Sequence, residues 1–114
     1  EVRNGIIEHL SGDNPADLLK RLAFAGRLGT EREEILERLE ILRTCYRDAM
    51  VLRETGDAER LTFPDRTSLI RTIAERLPGP SLLGNMAAVE AAMGAIDQNA
   101  NKALTLETMA INLA

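Results

Sequence analysis

The sequence predicts an all-α fold, a bundle of five to six helices, on three observations. Apolar residues recur at alternating spacings of three and four through most of the chain. The periodic stretches are separated by helix-stop and helix-start residues, chiefly Gly, Pro, Asn and Ser. No stretch alternates apolar and polar residues convincingly enough to be a half-buried strand.

The longest element covers residues 30–54, and the other segments are arranged around it. Thr30 followed three residues later by Glu33 has the form of a capping box, and Glu31, Glu33 and Glu34 put negative charge at the positive end of the helix dipole. Gly56 closes the far end. Ile35, Leu39, Leu42, Tyr46 and Ala49 form one stripe. Leu36 and Met50 widen it on one side, and Ile41, Cys45 and Leu52 on the other. An apolar arc wider than about 100° predicts a central helix packed on two or three sides. Arg38 and Arg53 fall inside that arc, where a charge either snorkels to water or meets an acidic partner.

Residues 2–10 read as a short helix or the end of a preceding one, weakened by Gly5 and left at Ser11-Gly12-Asp13. Asn14-Pro15 starts the next helix, with Asn as cap and Pro in the first turn. Its apolar face is Leu18, Leu19, Leu22, Ala25 and Leu28, and Gly29 ends it. So short a link to the central helix predicts an antiparallel or sharply angled hairpin. Residues 55–64 form the one sizeable non-helical stretch, with Leu61 and Phe63 tucked under the core. Pro64-Asp65 opens a further helix whose inner face is Leu69, Ile70, Ile73, Ala74 and Leu77, and Pro78-Gly79-Pro80 stops it. Ser81 is the next expected cap, ahead of a seam of Leu82, Met86, Val89, Met93 and Ile96.

The back of that helix is poor in polar side chains: Ala87, Ala88, Ala91, Gly94 and Ala95, with Asn85, Glu90 and Asp97. Two readings stand. Alanine is the best helix former, or this is a second buried face under the last helix or a partner. Gln98-Asn99-Ala100-Asn101 breaks the pattern, and residues 102–114 resume it with Leu106, Met109, Ala110 and Leu113.

Composition bounds the function. With 114 residues, 45% of them hydrophobic, the chain is one domain able to bury about two thirds of its unfolded surface. The single cysteine, Cys45, excludes an internal disulfide, and no His/Cys cluster suits zinc. Neither a membrane span nor a signal-peptide layout is present, so a cytoplasmic location is expected. The chain begins at Glu1 with a helical pattern already under way, which suggests a piece of a longer protein. Fourteen basic and eighteen acidic residues give a net charge of -4, with the arginines spread along every segment and aromatics at 3%. A basic stripe and a base-stacking platform are both missing, so direct nucleic-acid binding is not expected.

Chemistry-bearing motifs are sparse. No Gly-rich phosphate loop or dinucleotide fingerprint occurs, so no nucleotide or other cofactor is expected. His9-Leu10-Ser11-Gly12 resembles the phospho-accepting region of helical phosphotransfer modules but lacks the basic residue after the histidine. His9 reads instead as exposed or capping. Cys45 reads as a buried, inert thiol. The Asp13/Asp17 and Asp57/Asp65 carboxylates lack a calcium loop and read as caps and turn residues. The Arg-Glu alternation over residues 31–43 reads as a solvated face with short-range ion pairs.

Three stretches together resemble the C-terminal domain of the delta-prime subunit of the bacterial DNA polymerase III clamp loader. The first covers residues 18–54: a leucine-rich helix, the acidic start Thr30-Glu31-Arg32-Glu33-Glu34, and a long helix with Tyr46-Arg47-Asp48 ahead of Met50-Val51-Leu52-Arg53. The second is Leu61-Thr62-Phe63-Pro64-Asp65, similar to an apolar-x-asparagine-proline-aspartate turn with Phe63 in the asparagine position. The third runs from Ile96-Asp97-Gln98 through Asn99-Ala100-Asn101 to Lys102-Ala103-Leu104-Thr105-Leu106-Glu107, close to the family's asparagine-x-asparagine followed by a leucine-rich last helix. The gamma/tau and delta subunits share the architecture and are the nearest alternatives, followed by an unrelated helical adaptor or scaffold.

The resemblance implies a clamp-loader collar: a non-catalytic domain joining one subunit to the gamma/tau and delta subunits in a pentameric ring, with ATPase-type modules lying N-terminal to it. The parent protein would work within a DNA polymerase holoenzyme. Two patches follow from helical geometry as candidate interfaces, the Ile41/Cys45/Leu52 edge and the small-residue face of Ala87, Ala91 and Ala95. Such a surface without its partner would favour self-association of the isolated domain.

Overall fold

A computed structural model describes residues 1–12 and 17–114. Six α-helices follow one another: α1 (Val2–Ser11), α2 (Leu18–Gly26), α3 (Arg32–Thr55), α4 (Thr67–Arg76), α5 (Gly79–Asp97) and α6 (Lys102–Asn112). Single 3-10 turns at Ala58–Arg60 and Pro64–Arg66 shape the α3–α4 connection. The all-α expectation holds, with six helices and no strand among the described residues.

Helix α3 is the central element. Its stripe of Ile35, Leu39, Leu42, Tyr46 and Ala49 is at most 1% exposed, and α1, α4 and α5 all pack on it. The capping box at its start does not form. Glu31 precedes the first turn without a side-chain cap, and the Thr30 N–H donates instead to Glu34 Oε1 at 3.1 Å. Gly29 makes this possible, since its φ of +110° turns the chain and a Cβ there would collide with the Glu34 carboxylate. At the far end Gly56, with φ +68°, donates its N–H to Leu52 O as expected.

Helix α2 departs from its expected face. Phe24, Ala25 and Leu28 are buried, whereas Leu18 and Leu19 are 51% and 75% exposed. Rather than folding back on α3, α2 lies along α6. The Asn14-Pro15 start falls outside the described residues; Asp17 caps the described helix by accepting the Leu19 N–H at 2.9 Å. Helix α4 follows its predicted face closely, with Ile70, Ile73, Ala74 and Leu77 buried and Leu69 partly buried.

Helix α5 begins earlier and faces differently than expected. It starts at Gly79, immediately after Pro78, which places Ser81 within the first turn rather than at the cap. Its inner residues are Leu82, Asn85, Val89, Ala92 and Ile96, while Met86 and Met93 sit half-buried at the edge. Leu82, Val89 and Ile96 of the expected seam are thus buried, and only its two intermediate positions shift by one residue, from Met86 to Asn85 and from Met93 to Ala92.

Helix ends divide into two classes. Where a left-handed residue is available, at Gly56 after α3 and Asn99 (φ +62°) after α5, the chain closes its own carbonyls. Elsewhere an arginine from another helix supplies the donors. Arg53 Nη1 donates to Ala74 O at 2.8 Å at the end of α4. Arg21 Nη1 donates to Ala110 O at 3.2 Å and Ile111 O at 2.9 Å at the end of α6. Arg76 donates to Gly12 O after α1. Arg53, inside the apolar arc, thus meets neither water alone nor a carboxylate but the negative end of a neighbouring helix.

Candidate subunit interface

Two of the three sequence stretches meet inside the fold. Asp48 is fully buried on α3, and its carboxylate accepts the N–H groups of Thr62 and Phe63, each at 2.9 Å. Arg47 Nη1 adds bonds to Asp48 at 3.0 Å and to Thr62 Oγ1 at 3.1 Å. This pins the 61–65 turn to the central helix and buries Leu61 beneath it. From outside, Arg3 of α1 grips Asp65 at 2.6 Å and lies over the Phe63 ring, 5.0 Å from its centroid. That pair raises the arginine's proton affinity and depresses the Asp65 carboxyl below its usual range. Nothing in the periodicity indicated that Asp48 is buried; the signal was a carboxylate one step from the Ala49 stripe position. The third stretch is also structural: Asn99 takes the left-handed turn, and the Asn101 side chain caps α6 by accepting the Leu104 N–H at 2.9 Å.

The remaining candidates separate by burial. Cys45 and Leu52 are 0% and 5% exposed, so this edge of α3 belongs to the core and leaves only Ile41, half-buried, at the surface. Width of arc on a central helix reports intramolecular neighbours first. Burial, aided by the Asp48 charge, pushes the Cys45 thiol up to about 12, which makes it a poor nucleophile. His9 is neither exposed nor a cap. Its ring stacks on Phe24 with centroids 4.0 Å apart, and burial, then Arg27 and Arg76, lowers its proton affinity. Among the described residues no cluster of His, Cys, Asp or Glu is arranged for a metal. Asp57 caps the first 3-10 turn, accepting the Glu59 N–H at 3.0 Å.

On α5 the small-residue face is open. Gly84, Ala87, Ala91 and Gly94 are all exposed, Ala95 is half-buried, and a Cβ added at either glycine would meet nothing within 4 Å. Beside this face α5 and α6 enclose a groove of about 350 Å³, with Ala88, Ala91 and Ala95 on one wall and Leu104, Thr108 and Met109 on the other. No charged residue lines it, although 28% of the chain is charged. Leu104 lines it and is 65% exposed, and Leu83, earlier on α5, is 58% exposed. Small residues allow a helix backbone to approach closely, and the two leucines offer apolar area to bury on contact. Leu104 lies off the 106/109/110/113 stripe, a signal already present in the periodicity. A larger, open groove of about 620 Å³ between α2 and the start of α6 carries Asn99, Asn101 and Lys102 on its rim.

These features define an all-helical domain that leaves a small-residue face and an uncharged groove open on α5 and α6. Residues 7–114 match the family described as DNA polymerase III, delta subunit, C terminal, and the chain belongs to that family, the C-terminal domains of clamp-loader subunits. No curated protein and no solved structure matches the chain. No described helix is long and apolar enough to cross a membrane.

Proposed function

We propose that the chain is a non-catalytic collar domain of delta-prime type. Its α5–α6 face holds the subunit against the gamma/tau and delta C-terminal domains of the clamp loader, and thereby supports loading of the sliding clamp on primed DNA. The observation that carries this reading is the small-residue face of α5, with Glu90 its one charge before Ile96, beside the uncharged α5–α6 groove. An isolated domain gains nothing from leaving Leu83 and Leu104 exposed there. Ala87, Ala91 and Ala95 are the contact residues of this proposal, with Ile41 a peripheral one. A delta subunit is the second reading, favoured by the description of the matching family.

Size-exclusion chromatography with light scattering tests the proposal, using the chain alone and mixed with gamma/tau and delta C-terminal domains from the same organism. A larger species should form on mixing and be lost with Ala91→Arg, whose thermal melt should match wild type because Ala91 is exposed. If Ala91→Arg assembles normally, this face is not the contact. Competition separates the two subunit readings: authentic delta-prime should displace a delta-prime-like chain from the complex, and authentic delta a delta-like one.

A further inference from the structure

Between α1, α2 and α3 lies a further concavity, of about 200 Å³, which shares no residue with the α5–α6 groove. Its floor is Ile6, Phe24 and Leu28, and Val2, 44% exposed, stands on its wall. Gly5 also lines it, from the interior of α1. Glycine there costs about 1 kcal/mol relative to alanine. A Cβ at Gly5 would meet nothing within 4 Å, so internal packing does not require the glycine. Its effect is to keep the mouth of the cleft open.

The rim is positively charged and under-used. Arg27 is exposed, and its guanidinium makes no hydrogen bond or ion pair among the described residues. Arg38 reaches Glu34 only at 3.5 Å and the Arg27 carbonyl at 3.3 Å. Closer pairs occur at Arg3, which grips Asp65 at 2.6 Å, and at Arg43, which grips Glu40 at 2.7 Å, while Arg60 and Arg66 are held at 3.4 and 3.5 Å. Acidic residues outnumber basic ones by eighteen to fourteen, yet among the described residues the Arg27 guanidinium has no carboxylate partner and Arg38 has only Glu34, at 3.5 Å. His9 lines the same cleft, and its proton affinity is lowered first by burial and then by the charge of Arg27.

We infer that this cleft binds a protein segment that inserts one large apolar side chain beside Gly5 and sets an adjacent carboxylate against Arg27 and Arg38. The volume is below the roughly 300–1,000 Å³ of pockets that enclose a small-molecule ligand. It suits a single anchor side chain of the kind that dominates protein interfaces. Guanidinium groups recognise carboxylates in a planar, two-pronged geometry, which fixes the orientation of the incoming segment. The partner is therefore a segment with Leu or Phe next to Asp or Glu. This inference does not rest on the collar reading, because the two surfaces use different residues.

Selection of displayed random peptides on the full chain, with counter-selection on Gly5→Leu, tests it. Enriched peptides should pair Leu or Phe with Asp or Glu. A labelled peptide of that pattern should bind saturably in fluorescence anisotropy, about tenfold more weakly to Gly5→Leu and several-fold more weakly to Arg27→Gln. Replacing its acidic residues by amides should cause the same loss as Arg27→Gln. Gly5→Leu favours the helix, so an unchanged or raised melting temperature separates lost binding from lost folding. The inference is overturned if no selected peptide distinguishes wild type from Gly5→Leu, or if amide peptides bind equally well. It is also overturned if light scattering shows wild type associating with itself through the cleft while Gly5→Leu stays monomeric.

Discussion

The two long helices, α3 and α5, use their surfaces in opposite ways. Helix α3 buries eight residues, takes neighbours on several sides and carries its charges on an outer face laced with pairs such as Arg43–Glu40 at 2.7 Å. Helix α5 buries five and turns glycines and alanines outward with Glu90 as the one charge between Gly79 and Ile96. Each also buries one polar side chain that anchors a distant segment. Asp48 on α3 accepts the Thr62 and Phe63 N–H groups, and Asn85 on α5 accepts the Ala114 N–H at 2.8 Å. The difference teaches how each helix spends its surface: α3 on neighbours inside the domain, α5 with a small-residue face left open to solvent.

The sharpest way to break this comparison is to cut the core face of α3. Leu39→Ala, at a site with no exposure, should cost about 3 kcal/mol in urea unfolding, whereas Ala87→Ser on the exposed face of α5 should stay within about 0.5 kcal/mol of wild type. Equal costs at the two sites would end the contrast.

Next in size is the buried carboxylate. Asp48→Ala leaves two backbone donors without their acceptor and should destabilise by about 2–3 kcal/mol, and Asp48→Asn should recover part of that because one oxygen remains. A loss below about 0.5 kcal/mol would mean that water replaces the carboxylate and that the turn is not anchored from α3.

Smaller and opposite in sign is the effect of filling α5's glycines. Gly84→Ala and Gly94→Ala should each stabilise by about 0.5–1 kcal/mol, since the added methyl meets open space and alanine is the better helix former. The comparison sharpens if the same substitutions weaken assembly with the loader subunits, because stability and contact would then pull apart.

The smallest effect concerns the outer hold on the 61–65 turn. Arg3 depresses the Asp65 pKa in the folded chain, so the unfolded chain binds more protons in the window between the two values. The pair's stabilisation is complete above the unfolded carboxylate value of about 4 and is lost as pH falls through the folded one. Arg3→Ala should therefore lower the plateau above about pH 4 slightly and flatten the acid limb below it, so that the two stability-versus-pH curves converge at low pH.

Legibility followed the physics of each signal. The stripes of α3, α4 and α6 were readable because Leu and Ile at regular spacing have one strong preference, to leave water. In the seam of α5, Leu82, Val89 and Ile96 were readable, but Asn85 and Ala92 were missed in favour of Met86 and Met93 because asparagine and alanine carry no such preference. The exposure of Leu18 and Leu19 was illegible for a related reason: which side of a short helix is covered depends on its partner, and α2 chose α6 rather than α3. Of the candidate interface, Ala87 and Ala91 lie where helical geometry put them, at the surface, whereas Cys45 and Leu52 were absorbed by the core.

By itself the sequence determined the helical class, the approximate helix boundaries and most of the core, since these depend on spacing and on local stops such as Gly56 and Pro78 that act within a few residues. Only the tertiary structure decided the roles of the arginines and of Asp48. A guanidinium 21 residues from the carbonyl it caps, as Arg53 is from Ala74, or a carboxylate 14 residues from the N–H it accepts, leaves no periodic trace. Such bonds join groups that come within reach only after hydrophobic packing has set the helices in place.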